Sequence, residues 1–377
     1  MNILIAPDSF KDCMSATEVS RALRKGILTV LKDVAIQQVP LADGGEGTVE
    51  AVIQATGGYR VTLKAHDPLM RQRVSFYGIT GDGQTAVIEM AAASGLELLS
   101  PEERNPWITT TYGTGQLMLD AVGRGCKRII VGIGGSATND GGAGMAAALG
   151  FRFLNGSGLP IKWGGGGLAE LEHLDATGVD PRIKQVEILV ACDVSNPLTG
   201  PRGASYTYGP QKGADQEMVE RLDANLGHFA RIIRSQMERD IADVPGAGAA
   251  GGLGAGLMVF ADATLANGFE MIAETVQLRK KIEEADLVIT GEGRMDHQTQ
   301  FGKTPYGVAQ MARKLGKPVI GIAGSLEAGS EVLYQHGFNL LLPIQESPVE
   351  LTEALERAGE LLIRAGERIG RILLFPR

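Results

Sequence analysis

Gly132-Ile133-Gly134-Gly135-Ser136-Ala137-Thr138-Asn139-Asp140-Gly141-Gly142-Ala143-Gly144 is the stretch on which the reading of this chain turns. It follows the apolar run Arg128-Ile129-Ile130-Val131, which reads as a strand, and leads into Met145-Ala146-Ala147-Ala148-Leu149, which reads as a helix. Six of its thirteen residues are glycine, so backbone N–H groups can face a ligand with no Cβ in the way. A glycine-rich turn entering a helix is an anion cradle, because the first N–H groups lack partners and the helix dipole favours negative charge. Ser136, Thr138, Asn139 and Asp140 add hydroxyl, amide and carboxylate groups at the same place. Phosphate, together with a metal ion, is the chemistry this pattern suggests.

The same strand–loop–helix grammar occurs at both ends of the chain. Residues 2–6 are apolar and are followed by Pro7-Asp8-Ser9-Phe10-Lys11-Asp12. Ser15 and Glu18 then form a capping-box pattern ahead of Val19, Leu23 and Ile27 at helical spacing. Residues 34–39 return as a strand and end in Asp43-Gly44-Gly45-Glu46-Gly47 before another helix. Near the other end, residues 286–290 read as a buried strand, a helix starts near Pro305, residues 318–323 and 339–342 read as strands, and residues 349–369 as a closing helix. Successive units of this kind imply parallel strands with helices across them.

Between the ends the texture changes to three short strands at residues 59–64, 74–79 and 85–90, a helix near 114–122, the glycine loop, and a strand at 187–192. The expected fold is therefore α/β with two domains. A doubly wound, parallel-sheet (Rossmann-like) domain is built from residues 1–66 plus 285–377, and a second α/β domain carrying the glycine-rich phosphate loop is inserted at residues 67–284. At 377 residues, two domains are also the natural expectation from length.

Composition narrows the function. Apolar residues make up 44% and charged residues 21%, as in globular proteins. The net charge of −8 argues against nucleic acid or an anionic membrane as partner, while leaving room for a small anionic ligand held locally. No apolar run reaches membrane-spanning length and the first residues lack a signal-peptide layout, so a cytoplasmic location is expected. Cys13, Cys126 and Cys192 are far apart and the five histidines are scattered, which gives zinc and disulfides no support.

Four further loops carry polar chemistry beyond expected strand ends, where ligands bind in open α/β sheets. Lys11, in the first, can hold a phosphate or carboxylate as a point charge, or simply sit at a solvated helix entry. Asp43 and Glu46 flank a double glycine and suit either a metal and substrate hydroxyl or a capped turn. Ala191-Cys192-Asp193-Val194-Ser195-Asn196-Pro197 presents an acid just past an apolar strand, as a base, a metal ligand or a strand-end cap. Residues 291–305, GEGRMDHQTQFGKTP, combine Glu292, Asp296, Arg294 and Lys303 ahead of a helix. Gly302-Lys303-Thr304 resembles the tail of a Walker A loop, but His297 stands where its first glycine would fall.

The dinucleotide pattern G-x-G-x-x-A at residues 132–137 also fails. No acidic residue occurs at residues 151–155, where the ribose-binding acid should lie. The run at residues 245–260, PGAGAAGGLGAGLMVF, could cradle a nucleotide or let helices pack closely, and packing is the expected reading. Phosphoryl transfer accounts for the loops together. It needs cations and N–H groups for the phosphates, carboxylates for Mg²⁺ and one base near the acceptor hydroxyl.

The segments APDSFKDCMSA, PLADGGEGT, IEMAAASGLELL, GIGGSATNDGGAG, ACDVSNPLTG, PGAGAAGGLGAG and TGEGRMDHQTQFGKTP follow one another across nearly the whole chain. In this combination the chain resembles the bacterial glycerate kinases that begin with an APDSFK loop. The resemblance implies ATP-dependent phosphorylation of D-glycerate, with Mg²⁺, in a cleft between two α/β domains that closes on its ligands. It also implies the 2-hydroxyl as acceptor, giving 2-phosphoglycerate rather than 3-phosphoglycerate.

Carried onto the residues present, Lys11 and Arg294 grip the glycerate carboxylate and the transferring phosphate, with Ser9 and Asp43 beside the substrate. Asp193 and Asp296 share the roles of catalytic base and Mg²⁺ ligand, with the division between them left open. Gly134, Gly135, Ser136, Asn139 and Lys303 meet phosphate, and Glu46 ranks behind them. Two other readings stand beside this one: a non-catalytic sensor of a sugar acid or phosphate, and an NAD(P)-dependent dehydrogenase. Self-association into a homo-oligomer is left open.

Overall fold

The computed structural model describes residues 1–300, 302–347 and 349–375; Phe301, inside the last of the quoted runs, lies outside them. Its strands in chain order are β1 (Asn2–Ile5), β2 (Ala35–Gln38), β3 (Tyr59–His66), β4 (Gln72–Ile79), β5 (Thr85–Glu89), β6 (Arg128–Gly132), β7 (Arg152–Leu154), β8 (His173–Asp175), β9 (Glu187–Ala191), β10 (Thr264–Ala266), β11 (Leu287–Met295), β12 (Val319–Leu326) and β13 (Leu340–Pro343). The backbone divides into two compact units. One comprises Met1–Asp43, Glu50–Gly57 and Phe269–Arg377, the other Gly44–Val49 and Gly58–Gly268. Among the described residues no helix is long and apolar enough to cross a membrane.

The first unit holds a five-stranded sheet in the order β13-β12-β11-β1-β2, with every neighbouring pair parallel. Ile3, Leu4, Ile5, Leu287, Val288 and Ile289 are all buried, the continuous apolar signature of a sheet covered on both faces. The chain runs from β1 to β2 on one side and through β11, β12 and β13 on the other, so the direction of winding switches between β1 and β11. A crevice at the carboxyl ends opens at such a switch. The loops after β1 and β11 are the two that carry Lys11 and Asp296.

Local sequence explains the elements around this sheet. The Ala16–Val30 helix begins at Ser15, whose Oγ accepts from the Glu18 N–H while the Glu18 carboxylate takes the Ser15 N–H, a complete capping box. Val19, Leu23 and Ile27 then face inward, alongside Leu361, Leu362 and Ile369 of the Ala358–Ile372 helix. The expected single closing helix is two helices, Leu351–Glu356 and Ala358–Ile372, separated at Arg357. A second difference bears on function. The run GEGRM continues β11 as far as Met295, because β12 supplies partners through Glu292↔Ala323, Arg294↔Ser325 and Met295↔Leu326. Glu292 and Arg294 are therefore strand residues.

The second unit is a six-stranded sheet in the order β10-β9-β6-β5-β4-β3. β5, β6, β9 and β10 are parallel, while β3 and β4 extend the sheet antiparallel. A separate antiparallel pair, β7 with β8, lies outside it. Packing places the divisions between units at Gly57/Gly58 and Gly268/Phe269, where sequence texture had suggested 66 and 285. The reason is pairing: β3 is hydrogen-bonded to β4 along its whole length, and Lys281, on the Leu278–Glu284 helix, reaches the Ala55 carbonyl within the first unit.

The two long helices of the first unit meet over a small-residue seam. A Cβ on Gly26 would fall on the Ile363 carbonyl oxygen, and Gly366 lies against the Leu23 carbonyl. Backbone cannot yield as a flexible side chain would, so Gly26→Ala is expected to lower stability by about 1–3 kcal/mol through overpacking. Urea unfolding measures this, and a variant with parental stability would show that the helices do not approach so closely.

Candidate functional site

In the second unit, strand register aligns Glu89, Gly132, Ala191 and Ala266 in one row across β5, β6, β9 and β10. The glycine loop, Asp193 and Asn267 therefore leave the sheet at the same edge. Asp193 is exposed, and its Oδ1 accepts from Asn267 Nδ2 at 2.8 Å and from the Gly268 N–H at 3.2 Å. Glu89, at the end of β5, takes the Val49 N–H at 2.7 Å, tying the segment with the exposed Glu46 to this edge.

Asp140 organises the far end of the glycine loop. Its fully buried carboxylate accepts from Thr110 Oγ1 (3.1 Å), the Thr111 N–H (2.8 Å), Thr111 Oγ1 (2.9 Å), the Gly142 N–H (3.1 Å) and the Gly144 N–H (3.2 Å). Burial pushes this carboxyl above its ordinary range, and the Thr111, Gly142 and Gly144 donors oppose that shift. Gly134 and Gly135 are exposed, whereas Ser136 and Asn139 are buried. Ser136 Oγ accepts from Lys212 Nζ at 2.7 Å, and Asn139 Nδ2 donates to Ser205 Oγ at 3.0 Å. Two buried oxygens of the loop, Thr138 Oγ1 and Asn139 Oδ1, have no hydrogen-bond partner among the described residues.

The run at residues 245–260 packs behind this loop, as its small residues suggested. It contains a left-handed turn at Ala250, Gly251 and Gly252. A Cβ on Gly251 would fall on the Thr138 carbonyl, and the Gly251 carbonyl accepts the Gly141 N–H at 3.1 Å.

In the first unit the β1–β11 pairing continues past Ile5, with the Asp8 N–H donating to the Gly291 carbonyl at 2.8 Å. Asp8 Oδ1 accepts from the Ser9 N–H at 2.6 Å and from Ser9 Oγ at 3.3 Å. Burial, with the negative charges of Asp43 and Glu292 behind it, pushes the Asp8 carboxyl up to about 7. Glu292 accepts from Thr299 Oγ1 at 2.9 Å and pairs with Lys303 Nζ at 3.1 Å. Burial raises its carboxyl as well, against the pull of Lys303 and Thr299.

Arg294 donates to Asp296 Oδ2 through Nη2 at 3.1 Å, and the Gln298 N–H donates to Asp296 Oδ1 at 2.7 Å. Burial works against the Asp296 carboxylate, but the Gln298 N–H, Arg294 and Lys303 outweigh it and hold the group below its ordinary range. Lys11 is exposed on the first loop, and Lys303 stands at the N-cap of the Thr304–Lys314 helix.

The site residues read from sequence thus fall into two sets. Ser9, Lys11, Asp43, Arg294, Asp296 and Lys303 belong to the first unit; Gly134, Gly135, Ser136, Asn139 and Asp193 belong to the second. Sequence reasoning gave no role to Asp8 or Glu292, whose coupling exists only because β1 and β11 are neighbours. It also missed Lys212, a buried lysine 76 positions from Ser136 in the chain. An isolated lysine inside Tyr208-Gly209-Pro210-Gln211-Lys212-Gly213 carries no recognisable spacing.

Comparison with known proteins identifies the family. Residues 3–374 match the model of the glycerate kinase family. The chain is 50% identical over 367 residues to a glycerate kinase of Halalkalibacterium halodurans, covering 97% of each chain. It is 50% identical over 373 residues to a glycerate 2-kinase of Escherichia coli K12, covering 99% of this chain and 98% of that one. A crystal structure assigned to glycerate kinase 2 of Salmonella typhimurium LT2 superposes with a TM-score of 0.91 at 47% identity, over 99% of this chain and 98% of the other. Similarity of this extent, across both units, sets aside the sensor and dehydrogenase readings: the chain belongs to the glycerate kinase family and is a kinase.

Proposed function

We propose that this kinase transfers the γ-phosphoryl group of ATP to the 2-hydroxyl of D-glycerate, yielding 2-phosphoglycerate. The name of the Escherichia coli relative, 50% identical over nearly the full length, supports the 2-position. The observation that carries the phosphate assignment is on the glycine loop, where the N–H groups of the exposed Gly134 and Gly135 find no acceptor among the described residues. Such groups suit the oxygens of a phosphate. Use of ATP as donor supports a cytoplasmic location for the reaction.

Residue roles follow from chemistry. Lys11 and Arg294 bind the glycerate carboxylate and the transferring phosphate, Arg294 through the planar fork that Asp296 orients. Ser9, on the Lys11 loop, and Asp43, beyond the end of β2, contact substrate. Gly134, Gly135, Ser136, Asn139 and Lys303 serve phosphate. Asp296, held ionised, is better suited to a metal ligand than to a base. Asp193, presented at the end of β9, is the proposed proton acceptor for the 2-hydroxyl. Asp8 is the second reading for that role, because a carboxyl pushed up to about 7 matches what a base needs near neutral pH.

Mg²⁺ fits the donor chemistry. Burial, with the negative charges of Asp43 and Glu292 behind it, raises the proton affinity of Asp8, and a divalent cation near these groups would relieve that repulsion. Mg²⁺ is a cation that takes one or two carboxylates and completes its shell with water and phosphate oxygens. When bound, it neutralises charge developing on the phosphates.

Three outcomes are expected. Asp193→Asn and Asp296→Asn, each folded by circular dichroism, lose about 10²–10⁴-fold in kcat in a coupled ADP-release assay with D-glycerate; near-normal turnover in both overturns the assignment. Phosphorus NMR of the product shows 2-phosphoglycerate, and 3-phosphoglycerate would refute the regiochemistry. Asp8 binds its proton more tightly in the folded than in the unfolded chain, so it withdraws stability as pH rises from about 4 through about 7. Asp8→Asn should therefore melt above the parent at pH 8, with the gap closing towards pH 5. Equal melting temperatures at pH 8 would count against the coupled carboxylates.

A further inference from the structure

Lys212 is 1% exposed, and its Nζ donates to Ser136 Oγ and to the Thr138 carbonyl, each at 2.7 Å. Burying an ammonium is costly even when it is hydrogen-bonded, and an apolar side chain of the same length would avoid that cost. The hydrogen bonds of the neighbouring residues indicate what the lysine does. The Gly135 carbonyl accepts from the Leu96 N–H at 2.9 Å, the Ala137 carbonyl from Thr109 Oγ1 at 2.8 Å, and the Thr138 carbonyl from Lys212.

A trans peptide is planar, with its C=O and the following N–H on opposite sides. Turning those three carbonyls into the unit turns the N–H groups of Ser136, Thr138 and Asn139 the other way. None of the three finds an acceptor among the described residues, although all three residues are buried. Buried N–H groups without acceptors are rare in folded proteins, and a row of them is the mark of a ligand site. Asp140, the other buried charge of the loop, satisfies N–H groups only from Gly142 onward and at Thr111.

We propose that Lys212 is a positioning residue for phosphoryl transfer. From the inner side of the glycine loop its Nζ fixes the peptide planes so that their N–H groups face a phosphate. Gly251 packs against the same Thr138 carbonyl, so closely that no Cβ would fit between them. The proposal rests on the reading of residues 132–144 as the phosphate loop. It adds the device that holds the loop in its binding conformation.

The test is steady-state kinetics of the full-length enzyme with ATP and D-glycerate. Lys212→Met is expected to raise the KM for ATP at least tenfold and to lower kcat, while the KM for D-glycerate stays within twofold. Ser136→Ala removes one of the two hydrogen bonds and should shift the same constants in the same direction by less. Gly134→Val, which places a branched side chain on the exposed face of the loop, tests the loop reading itself.

A folded Lys212→Met enzyme with parental kinetics, beside an inactive Gly134→Val enzyme, overturns the positioning role and keeps the phosphate loop. Parental kinetics in both overturns the loop reading as well. A lowered melting temperature with both KM values and kcat unchanged assigns Lys212 to stability alone and overturns the proposal. If Lys212→Met does not fold, Ser136→Ala decides, and an unchanged KM for ATP in that variant overturns it.

Discussion

Pairing between β1 and β11 is the constraint on which the first unit depends. Ile3 lies opposite Leu287 and Ile5 opposite Ile289, positions 284 residues apart in the chain. Closing so long a loop costs only slowly more than closing a short one. The burial of Ile3, Ile5, Leu287 and Ile289 offsets it at roughly 1.5–3 kcal/mol per side chain. The chemistry follows from this register. With the Asp8 N–H on the Gly291 carbonyl, the acid that follows β1 is held beside Glu292 of β11, and the Asp43 charge, beyond the β2 end, adds to the repulsion felt at Asp8. Burial, with that repulsion behind it, pushes the Asp8 carboxyl up to about 7.

The second unit solves a different problem, which is to present backbone rather than side chains. Its glycine loop leaves β6 flanked by strands on both sides, and two buried side chains, Asp140 and Lys212, hold it from within by hydrogen bonds. Asp140 gathers donors at the helix-entry end, and Lys212 takes acceptors nearer the strand. The groups left over are N–H groups. In the proposed reading, an anion is the partner that such N–H groups suit.

Much of this was legible in the sequence, for identifiable reasons. Capping at Ser15, proline in the first turn after Thr304, and the apolar runs of β1, β6, β9 and β11 are local signals, and each appears where expected. The α/β class and the contribution of both chain ends to one parallel sheet followed from them. What was not legible is non-local. GEGRM looks like a glycine-broken loop, yet it remains strand because β12 offers a partner as far as Leu326. The unit divisions depend on what β3 and the Leu278–Glu284 helix pack against, which composition does not encode. Lys212 and Asp8 draw their character from neighbours dozens to hundreds of positions away, and each resembles an ordinary surface residue of a loop.

Because its sheet draws strands from both ends of the chain, the first unit has an unusual position during synthesis. β1 and β2 leave the ribosome early, but the strand that flanks β1 on its other side is made about 280 residues later. At about 5–20 residues per second that interval is about 15–60 s. Throughout it β1 is an apolar edge with open hydrogen-bonding groups, the kind of surface that seeks the wrong partner. The second unit, almost contiguous from Gly58 to Gly268, can complete its own sheet in the meantime. The nascent chain can therefore assemble its glycine loop first and the carboxylates of the β1 and β11 ends last.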